Sequence, residues 1–445
     1  MDRRRLFASL AVIVMVVGAS AVFFWWVFSA DLALETVLLR VVLTAFLVFL
    51  IIVIFRHFSL LWLAYLQQVG ETVRSRDERA RPGELPPVSI LVPAYNEAKV
   101  LDRALQSLLR LDYPGYEIVV VDDGSGDGTL EVARRWEGDH GDVRVRVVTK
   151  ANGGKWTALN LGIEASRHPF LLCMDADSRL EPGSLRAAMT HFRDPDVGAV
   201  AGNVKIENRD RPLTWLQALE YVEGLNLPRR AQSFLAAVNI VPGPMGVFRR
   251  SAVESVGRYE GDTFAEDADL SLKLISAGWK VVYEEEAVAW TQAPRGMLDL
   301  LQQRYRWTRG ILQAVRKRKE LFLTPFPDFP LWMSAFQLGF EGFVWPALNV
   351  YAHLFFALVL LFYEAGPVIL FWWILMLAMD VVVALVTVSM EEEDLRLVLA
   401  ALPYRLFYLL WLDVAKVFAT VEELLNLEMR WDKLQRMATG GEVES

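Results

Sequence analysis

Phe170-Leu171-Leu172-Cys173-Met174-Asp175-Ala176-Asp177 sets five apolar residues directly against two carboxylates spaced one residue apart. A short apolar run of this kind reads as a buried strand, with the acids at its carboxyl end. Alternation along an extended chain predicts that Asp175 and Asp177 point the same way, where they could hold one divalent cation. Hard carboxylate oxygens suit Mg²⁺ or Mn²⁺ and leave coordination positions for phosphate. Two earlier runs end alike: Val88–Val92, closed by Pro93, leads into Asn96-Glu97, and Glu117–Val121 leads into Asp122-Asp123-Gly124-Ser125. Between these runs lie helical spacings: Val100–Leu111, a helix from Thr129, and Trp156–Ala165. The strands Val143–Val148 and Val197–Ile206 continue the series. Repeated strand–helix–strand units predict an α/β domain with a mostly parallel sheet covered by helices on both faces. Such sheets bind ligands at the carboxyl ends of their strands, and here three of those ends carry acids.

The flanks have a different chemistry. Leu6–Phe28 is an almost unbroken apolar run after Arg3, Arg4 and Arg5, and Thr36–Phe55 is a second, followed by Arg56 and His57. Each reaches the roughly 20 residues needed to cross a bilayer core. The arginines outside the pair predict that both outer ends face the cytoplasm. Past Pro330 come Phe340–Tyr363, Pro367–Met390 and Val398–Thr420, the last interrupted by Arg405, Asp413 and Lys416. Charges at that depth face a cavity, pair with each other, or mark an interfacial or re-entrant segment. The expected organisation is two transmembrane helices in 1–66 and a linker in 67–87. A catalytic domain with interfacial helices follows in 88–330, then about three transmembrane or re-entrant helices in 331–421 and a tail in 422–445. These runs predict a multi-pass inner-membrane protein with its central domain in the cytoplasm. The net charge of −8 argues against a nucleic-acid binder, and it resides in the C-terminal part, where residues 331–445 carry 6 basic and 14 acidic side chains. The single cysteine, Cys173, excludes an internal disulfide and a Cys-rich zinc site.

Common nucleotide motifs fail on inspection. Gly124-Ser125-Gly126-Asp127-Gly128-Thr129 lacks the third glycine of a dinucleotide fingerprint, and Gly153-Gly154-Lys155-Trp156 lacks the first glycine and the Ser/Thr of a phosphate loop. Two later stretches carry chemistry. Glu266-Asp267 opens a helix, where acids serve either as dipole partners or as a base that deprotonates an acceptor hydroxyl. Gln303, Arg306 and Trp307 share one helical face, a cationic fork beside a large aromatic that can grip a pyrophosphate and stack on a sugar. The basic run around them also suits a helix on the membrane surface.

Pro93-Ala94-Tyr95-Asn96-Glu97, Asp122-Asp123-Gly124-Ser125, Asn152-Gly153-Gly154-Lys155, Asp175-Ala176-Asp177, Ala265-Glu266-Asp267 and Gln303-Arg304-Tyr305-Arg306-Trp307 occur in that order. The order resembles that of processive family 2 glycosyltransferases, the group holding the synthases of cellulose, hyaluronan and poly-N-acetylglucosamine. The compact size and the stretch Asp122–Thr129 look most like the bacterial poly-N-acetylglucosamine synthases. The resemblance covers roughly residues 1–420. It implies a GT-A fold with a Rossmann-like mixed sheet, a UDP-sugar donor (UDP-N-acetylglucosamine being the leading choice) and inverting, processive transfer to a growing polysaccharide that is moved across the membrane. It also implies membrane lipids and a small accessory membrane subunit as partners. Carried over by position, Ala94, Tyr95, Glu97, Asp122 and Asp123 fall around the uridine and Lys155 at the diphosphate. Asp175 and Asp177 match the uridine- and metal-binding D-x-D, with Mg²⁺ or Mn²⁺. Gly243 and Gly246 match a loop at the acceptor end, Asp267 the general base with Glu266 beside it, and Gln303, Arg306 and Trp307 the QxxRW motif. Ala265 departs from the usual Thr, and Trp156 stands where a small residue is common. Two other readings share much of the signature: a non-processive transferase acting on a lipid, and a cellulose- or hyaluronan-type synthase with another donor. The retained acids argue against an inactive channel subunit.

Overall fold

The fold is described from a computed structural model over residues 37–79, 85–319, 329–362 and 366–427. The strands are β1 (Val88–Ala94), β2 (Tyr116–Asp122), β3 (Gly138–His140), β4 (Val143–Thr149), β5 (Phe170–Cys173), β6 (Arg179–Leu180), β7 (Val197–Ile206), β8 (Gly246–Arg249) and β9 (Lys280–Thr291). They form one sheet in the order β3-β4-β2-β1-β5-β8-β7-β9-β6. The pairs β1–β2, β1–β5, β2–β4 and β7–β9 are parallel, while β3–β4, β5–β8, β7–β8 and β6–β9 are antiparallel. The sheet is therefore mixed rather than mostly parallel. The four-residue β8 returns beside β5 after a long excursion, and so short a strand leaves little periodic signal.

Helix α1 (Val37–Arg79) precedes the sheet. Helices α2 (Leu101–Leu108), α3 (Thr129–Arg135), α4 (Lys155–Ala165), α5 (Ser184–Thr190), α6 (Pro212–Glu220), α7 (Leu227–Ser233), α8 (Arg250–Ser255), α9 (Glu266–Ser276) and α10 (Met297–Lys317) belong to the central domain. Each face of the sheet is covered. Leu101, Leu105 and Leu108 of α2 join Leu185 and Met189 of α5 against Ile90, Ile118 and Leu172. On the other face, Leu159 and Ile163 of α4 and Leu270 and Leu274 of α9 pack on Leu91, Val119 and Leu171. Because β1 and β2 are buried on both faces, they read as continuous apolar runs without alternation, as central parallel strands do.

Register places the acids. Ala94 is opposite Asp122, and Leu91 is opposite both Val119 and Cys173, so the loops after β1, β2 and β5 open at one edge. Strand β5 ends at Cys173, and Asp175-Ala176-Asp177 forms a turn instead of continuing the strand. Alternation therefore does not govern the two carboxylates; the Asp175 amide donates to the Gly243 carbonyl at 3.1 Å, and the Ser178 amide to the Asp175 carbonyl at 3.0 Å.

After the sheet come α11 (Phe329–Gly339), a π-turn, α12 (Trp345–Phe362) and α13 (Gly366–Met390). A 3₁₀ turn (Leu395–Ala400), Ala401–Pro403 and a π-turn (Tyr404–Tyr408) then lead into α14 (Leu409–Leu424). The apolar run Leu6–Phe28 lies outside the described residues. Among those described, Val48–Glu71, Trp373–Met390 and Leu395–Leu424 are long and apolar enough to cross a membrane. Helix α1 continues to Arg79, so the stretch from Gln67 that composition reads as linker is helical for three more turns. Its Gln, Glu and Arg residues are good helix formers, and polarity there marks departure from lipid rather than the end of the helix. Leu60, Leu61 and Ala64 seat α1 against Leu227 and Ala231 of α7 and Val383 and Val386 of α13.

One close approach controls the β7–β9 junction. A Cβ on Gly202 would strike the Met245 side chain and lie 2.7 Å from the Ala287 carbonyl oxygen, at the point where the β7–β9 register shifts. Gly202→Ala is expected to lower the protein's stability by about 1–3 kcal/mol, the usual range for overpacking against backbone, measurable as an earlier denaturation midpoint in detergent.

Candidate active site

The loops at the sheet edge are tied to one another. The Asp123 carboxylate accepts from Lys150 Nζ at 2.7 Å and from the Gly153 and Gly154 amides at 3.1 and 2.9 Å. Asp122 accepts from the Thr149 hydroxyl at 3.1 Å. Across the edge, the Asn96 side chain accepts from the Gly126 amide at 2.9 Å, and the Glu97 amide donates to the Thr129 hydroxyl at 2.7 Å. Asp122 and Asp123 are buried and thereby fix the loop that starts α4. Both Asp123 oxygens are engaged within the protein, so its visible task here is to shape the Gly153-Gly154-Lys155 loop rather than to face an open pocket.

That loop delivers Lys155 to the centre of the cleft. Its Nζ lies 2.7 Å from Asp175 Oδ1 and 3.2 Å from Glu266 Oε1. Burial would lower the Lys155 pKa, but Asp175, Glu266 and Asp267 outweigh it and hold the ammonium well above its ordinary value. Gly243 lies close over the pair: a Cβ there would sit 2.6 Å from Asp175 Oδ2 and 2.7 Å from Lys155 Nζ, so a side chain would displace one or both. Pro93, Tyr259 and Val241 line the same cleft. The Tyr259 hydroxyl donates to the buried Cys173 sulfur at 3.5 Å, and burial pushes that thiol up to about 11.

Glu266 and Asp267 occupy the first turn of α9. Asp267 Oδ1 accepts from the Ala268 amide at 2.8 Å. Burial, followed by the neighbouring Glu266 charge, raises Asp267 from 3.8 to about 6, with Lys155 opposing. Arg306 faces the same acids: burial depresses it below its ordinary value, while Glu266, Asp175 and Asp267 pull the other way. Lys155, Asp175, Glu266 and Asp267 thus meet in one cleft, with Arg306 within their field.

Helix α10 supplies a feature that the motif reading passes over. Arg304, almost wholly buried, donates through Nε and Nη2 to the two Glu220 oxygens at 2.7 and 2.6 Å. Its guanidinium lies 4.2 Å from the Trp307 ring centroid and also contacts Gln303. The Tyr408 hydroxyl donates to the same Glu220. Two members of the QxxRW motif are therefore held by the residue at its first variable position. The only sequence signal was an arginine and a glutamate within otherwise apolar helical faces.

Other expected positions land elsewhere. Gly246 is inside β8 opposite Cys173, beside Val241 and Phe248. Tyr95 is half exposed just beyond β1, while Ala94 is buried as its last residue. Asp177 lies in the turn after β5 and accepts from the Ser178 hydroxyl at 3.1 Å. Among the described residues, two groups of three potential metal ligands converge, Glu71–His191–Glu284 and Glu260–Asp262–Asp269, and neither includes the D-x-D. In the second group Lys317 Nζ already stands among the carboxylates, 2.8 Å from Asp262 and 3.0 Å from Asp269. In the first, His191 Nε2 and Glu284 share a 2.6 Å contact.

A family model described as glycosyltransferase like family 2 matches residues 86–310, half of the chain. The chain belongs to this family. Poly-beta-1,6-N-acetyl-D-glucosamine synthase of Staphylococcus epidermidis is 34% identical to this family 2 glycosyltransferase over 224 residues, 50% of this chain and 54% of that protein. The synthase of Staphylococcus aureus strain COL is 32% identical over 256 residues, 57% of this chain and 61% of that one. The match thus spans little more than half the length of these curated relatives. Among solved structures, a mannosyltransferase from Pyrobaculum calidifontis in complex with GDP-Man and Mn²⁺ aligns over 83% of this chain and all of its own with a TM-score of 0.58. At 22% identity it shows the shared GT-A fold.

A carboxylate whose pKa is raised by folding prefers its protonated form in the native state. Asp267 therefore costs stability above pH 6, and the cost fades as pH falls from 6 towards 3.8. Asp267→Asn is expected to stabilise the fold at pH 8 by about 1–3 kcal/mol, with the gain shrinking towards pH 4 in denaturation curves.

Proposed function

We propose that this family 2 glycosyltransferase polymerises a β-linked polysaccharide, poly-N-acetylglucosamine, from UDP-N-acetylglucosamine on the cytoplasmic face of the membrane and passes the chain outward through its own spans. The observation that carries the reading is Asp267, a half-buried carboxylate raised to about 6 beside the Lys155–Asp175 pair. The likeness to the staphylococcal synthases supports the donor and product.

In the proposed reaction the acceptor hydroxyl attacks the anomeric carbon of the donor sugar. Asp267 takes the hydroxyl proton as the new C–O bond forms. The bond from the anomeric carbon to the UDP oxygen breaks on the opposite face, inverting the centre, and UDP leaves with the electron pair. Its diphosphate needs no protonating acid, only positive charge, which Lys155 and Arg306 supply from two sides. Glu266 keeps Lys155 in place and keeps Asp267 basic enough to act near neutral pH. Trp307, seated on Arg304, is the proposed stacking surface for the acceptor sugar.

Asp175 and Asp177 are the residues proposed to hold Mg²⁺ or Mn²⁺. Their hard oxygens fit either ion, and Asp175 would share its carboxylate between the cation and Lys155. When bound, the cation supplies additional charge stabilisation to the departing diphosphate. The two N-terminal spans, the cytoplasmic orientation and a small accessory membrane subunit belong to the same proposal.

Membranes carrying the protein, given radiolabelled UDP-N-acetylglucosamine with Mn²⁺, are expected to yield high-molecular-weight product that chelation abolishes. Asp267→Asn should eliminate transfer while UDP still binds. Transfer of a single sugar, or label confined to lipid-soluble product, would overturn the processive reading. The rate should fall as pH drops through about 6, because protonated Asp267 has no capacity for a further proton. In Glu266→Gln that acid limb should move to lower pH, since one of the charges raising Asp267 is gone.

A further inference from the structure

By length and composition, residues 395–424 could cross the bilayer, and on sequence grounds they form a fifth span or a re-entrant segment. What holds this stretch along its length separates the two. At its start, Glu391 bonds Arg230 at 2.8 Å and Asn203 at 2.7 Å, and Glu393 bonds Arg209 at 2.6 Å. In its middle, Tyr408 donates to Glu220 of α6. At its end, Glu423 accepts from Arg309 at 2.7 Å, while Arg316 donates to Asn426 at 2.8 Å and Arg309 to the Leu427 carbonyl at 2.6 Å. Every one of these partners lies in the catalytic domain between β7 and the end of α10. A helical stretch of 30 residues is about 45 Å long, against a bilayer core of about 30 Å. Had it crossed, its far end would stand on the side opposite the catalytic domain, out of reach of Arg309 and Arg316.

The two faces of the stretch differ. Leu412 and Ala419 are buried with Tyr404 and Tyr408, and the charged residues that interrupt the run have partners: Arg405 pairs with Asp380 of α13, and Asp413 accepts from Asn349 of α12 at 2.9 Å. Beside them, Leu399, Phe407, Trp411 and Phe418 form an exposed apolar row, from 57 to 79% accessible. Such a row beside membrane helices, on a stretch tied to the water-side domain at its start, middle and end, fits a lipid surface.

We propose that residues 395–424 do not span the membrane but lie along it on the catalytic-domain side, with this apolar row docked into the lipid boundary and the opposite face bracing α6 and α10. The adjoining apolar α12–α13 hairpin argues for lipid as the occupant. Through Tyr408, Glu220 and Arg304, the membrane surface is then mechanically joined to Trp307.

The test needs no enzymatic activity, so its failure is distinct from failure of the proposed reaction. Single cysteines are placed by Ser445→Cys, Asp139→Cys and Glu364→Cys in the full chain in oriented sealed vesicles; native Cys173 is buried and gives the background. With a membrane-impermeant maleimide, Ser445→Cys is expected to label from the same side as Asp139→Cys, on the catalytic domain, and Glu364→Cys, between α12 and α13, only from the other. Labelling of Ser445→Cys from the Glu364 side overturns the proposal. A nitroxide on Phe418→Cys should be relaxed by oxygen and report a depth near the headgroups. A depth at the bilayer centre, or shielding from both oxygen and water-soluble relaxants because another protein covers the row, overturns the lipid assignment.

Discussion

The cleft is built around one ammonium group. Lys155 stands between Asp175 and Glu266, with Asp267 in the same field. Without that cation, three carboxylates at a buried sheet edge would repel one another and take up protons. With it, two of them stay bound to Lys155 while the third, Asp267, remains poised near pH 6. The parts that place Lys155 follow from this requirement. Asp123 fastens the two-glycine loop before it, β1, β2 and β5 end in register so the acids converge, and Gly243 lies close over Asp175 and Lys155. The arrangement is costly to fold, and the continuous apolar cores on both faces of the sheet offset that cost.

A second set of ion pairs binds this cleft to the membrane section. The Glu391–Glu393 turn sits among Asn203, Lys205, Arg209 and Arg230, and Glu220 holds Arg304 beneath Trp307. Buried pairs of this kind add little net stability but impose a single arrangement when every donor and acceptor is matched. They make the catalytic domain and the C-terminal helices one continuous body at the site's edge. The acidic surplus of the C-terminal part acquires a structural use: Glu391, Glu393 and Glu423 are the partners of catalytic-domain arginines.

Much of this was legible beforehand, and the failures have physical causes. β1, β2 and β7 appear nearly where their apolar runs place them, because strands buried on both faces impose a dense local signal. The strand-end acids were recognisable as a cleft for the same reason. The antiparallel β8, the turn at Asp175, the helical continuation of α1 and the pairing of Arg304 with Glu220 were not. β8, the Asp175 turn and the Arg304 pairing each depend on a partner far along the chain, such as Gly243 for Asp175 or Glu220 for Arg304, and local periodicity carries no information about it; the continuation of α1 was hidden because its polar residues read as a linker.

The sequence by itself determined the class of fold, the family and the inventory of charged groups, since strand burial and the six ordered motifs are written in consecutive residues. Only the tertiary structure decided which of those groups meet. It brings Lys155 to Asp175 and Glu266, turns Asp123 inward to build a loop, sets Gly246 within a strand, and returns the end of the last apolar stretch to Arg309. These outcomes depend on packing and on charge compensation across 20 to 188 residues of chain, as the Lys155–Asp175 and Tyr408–Glu220 contacts show. Such long-range pairings are fixed by the shape of the folded core, where a buried charge must find its partner in space rather than in sequence.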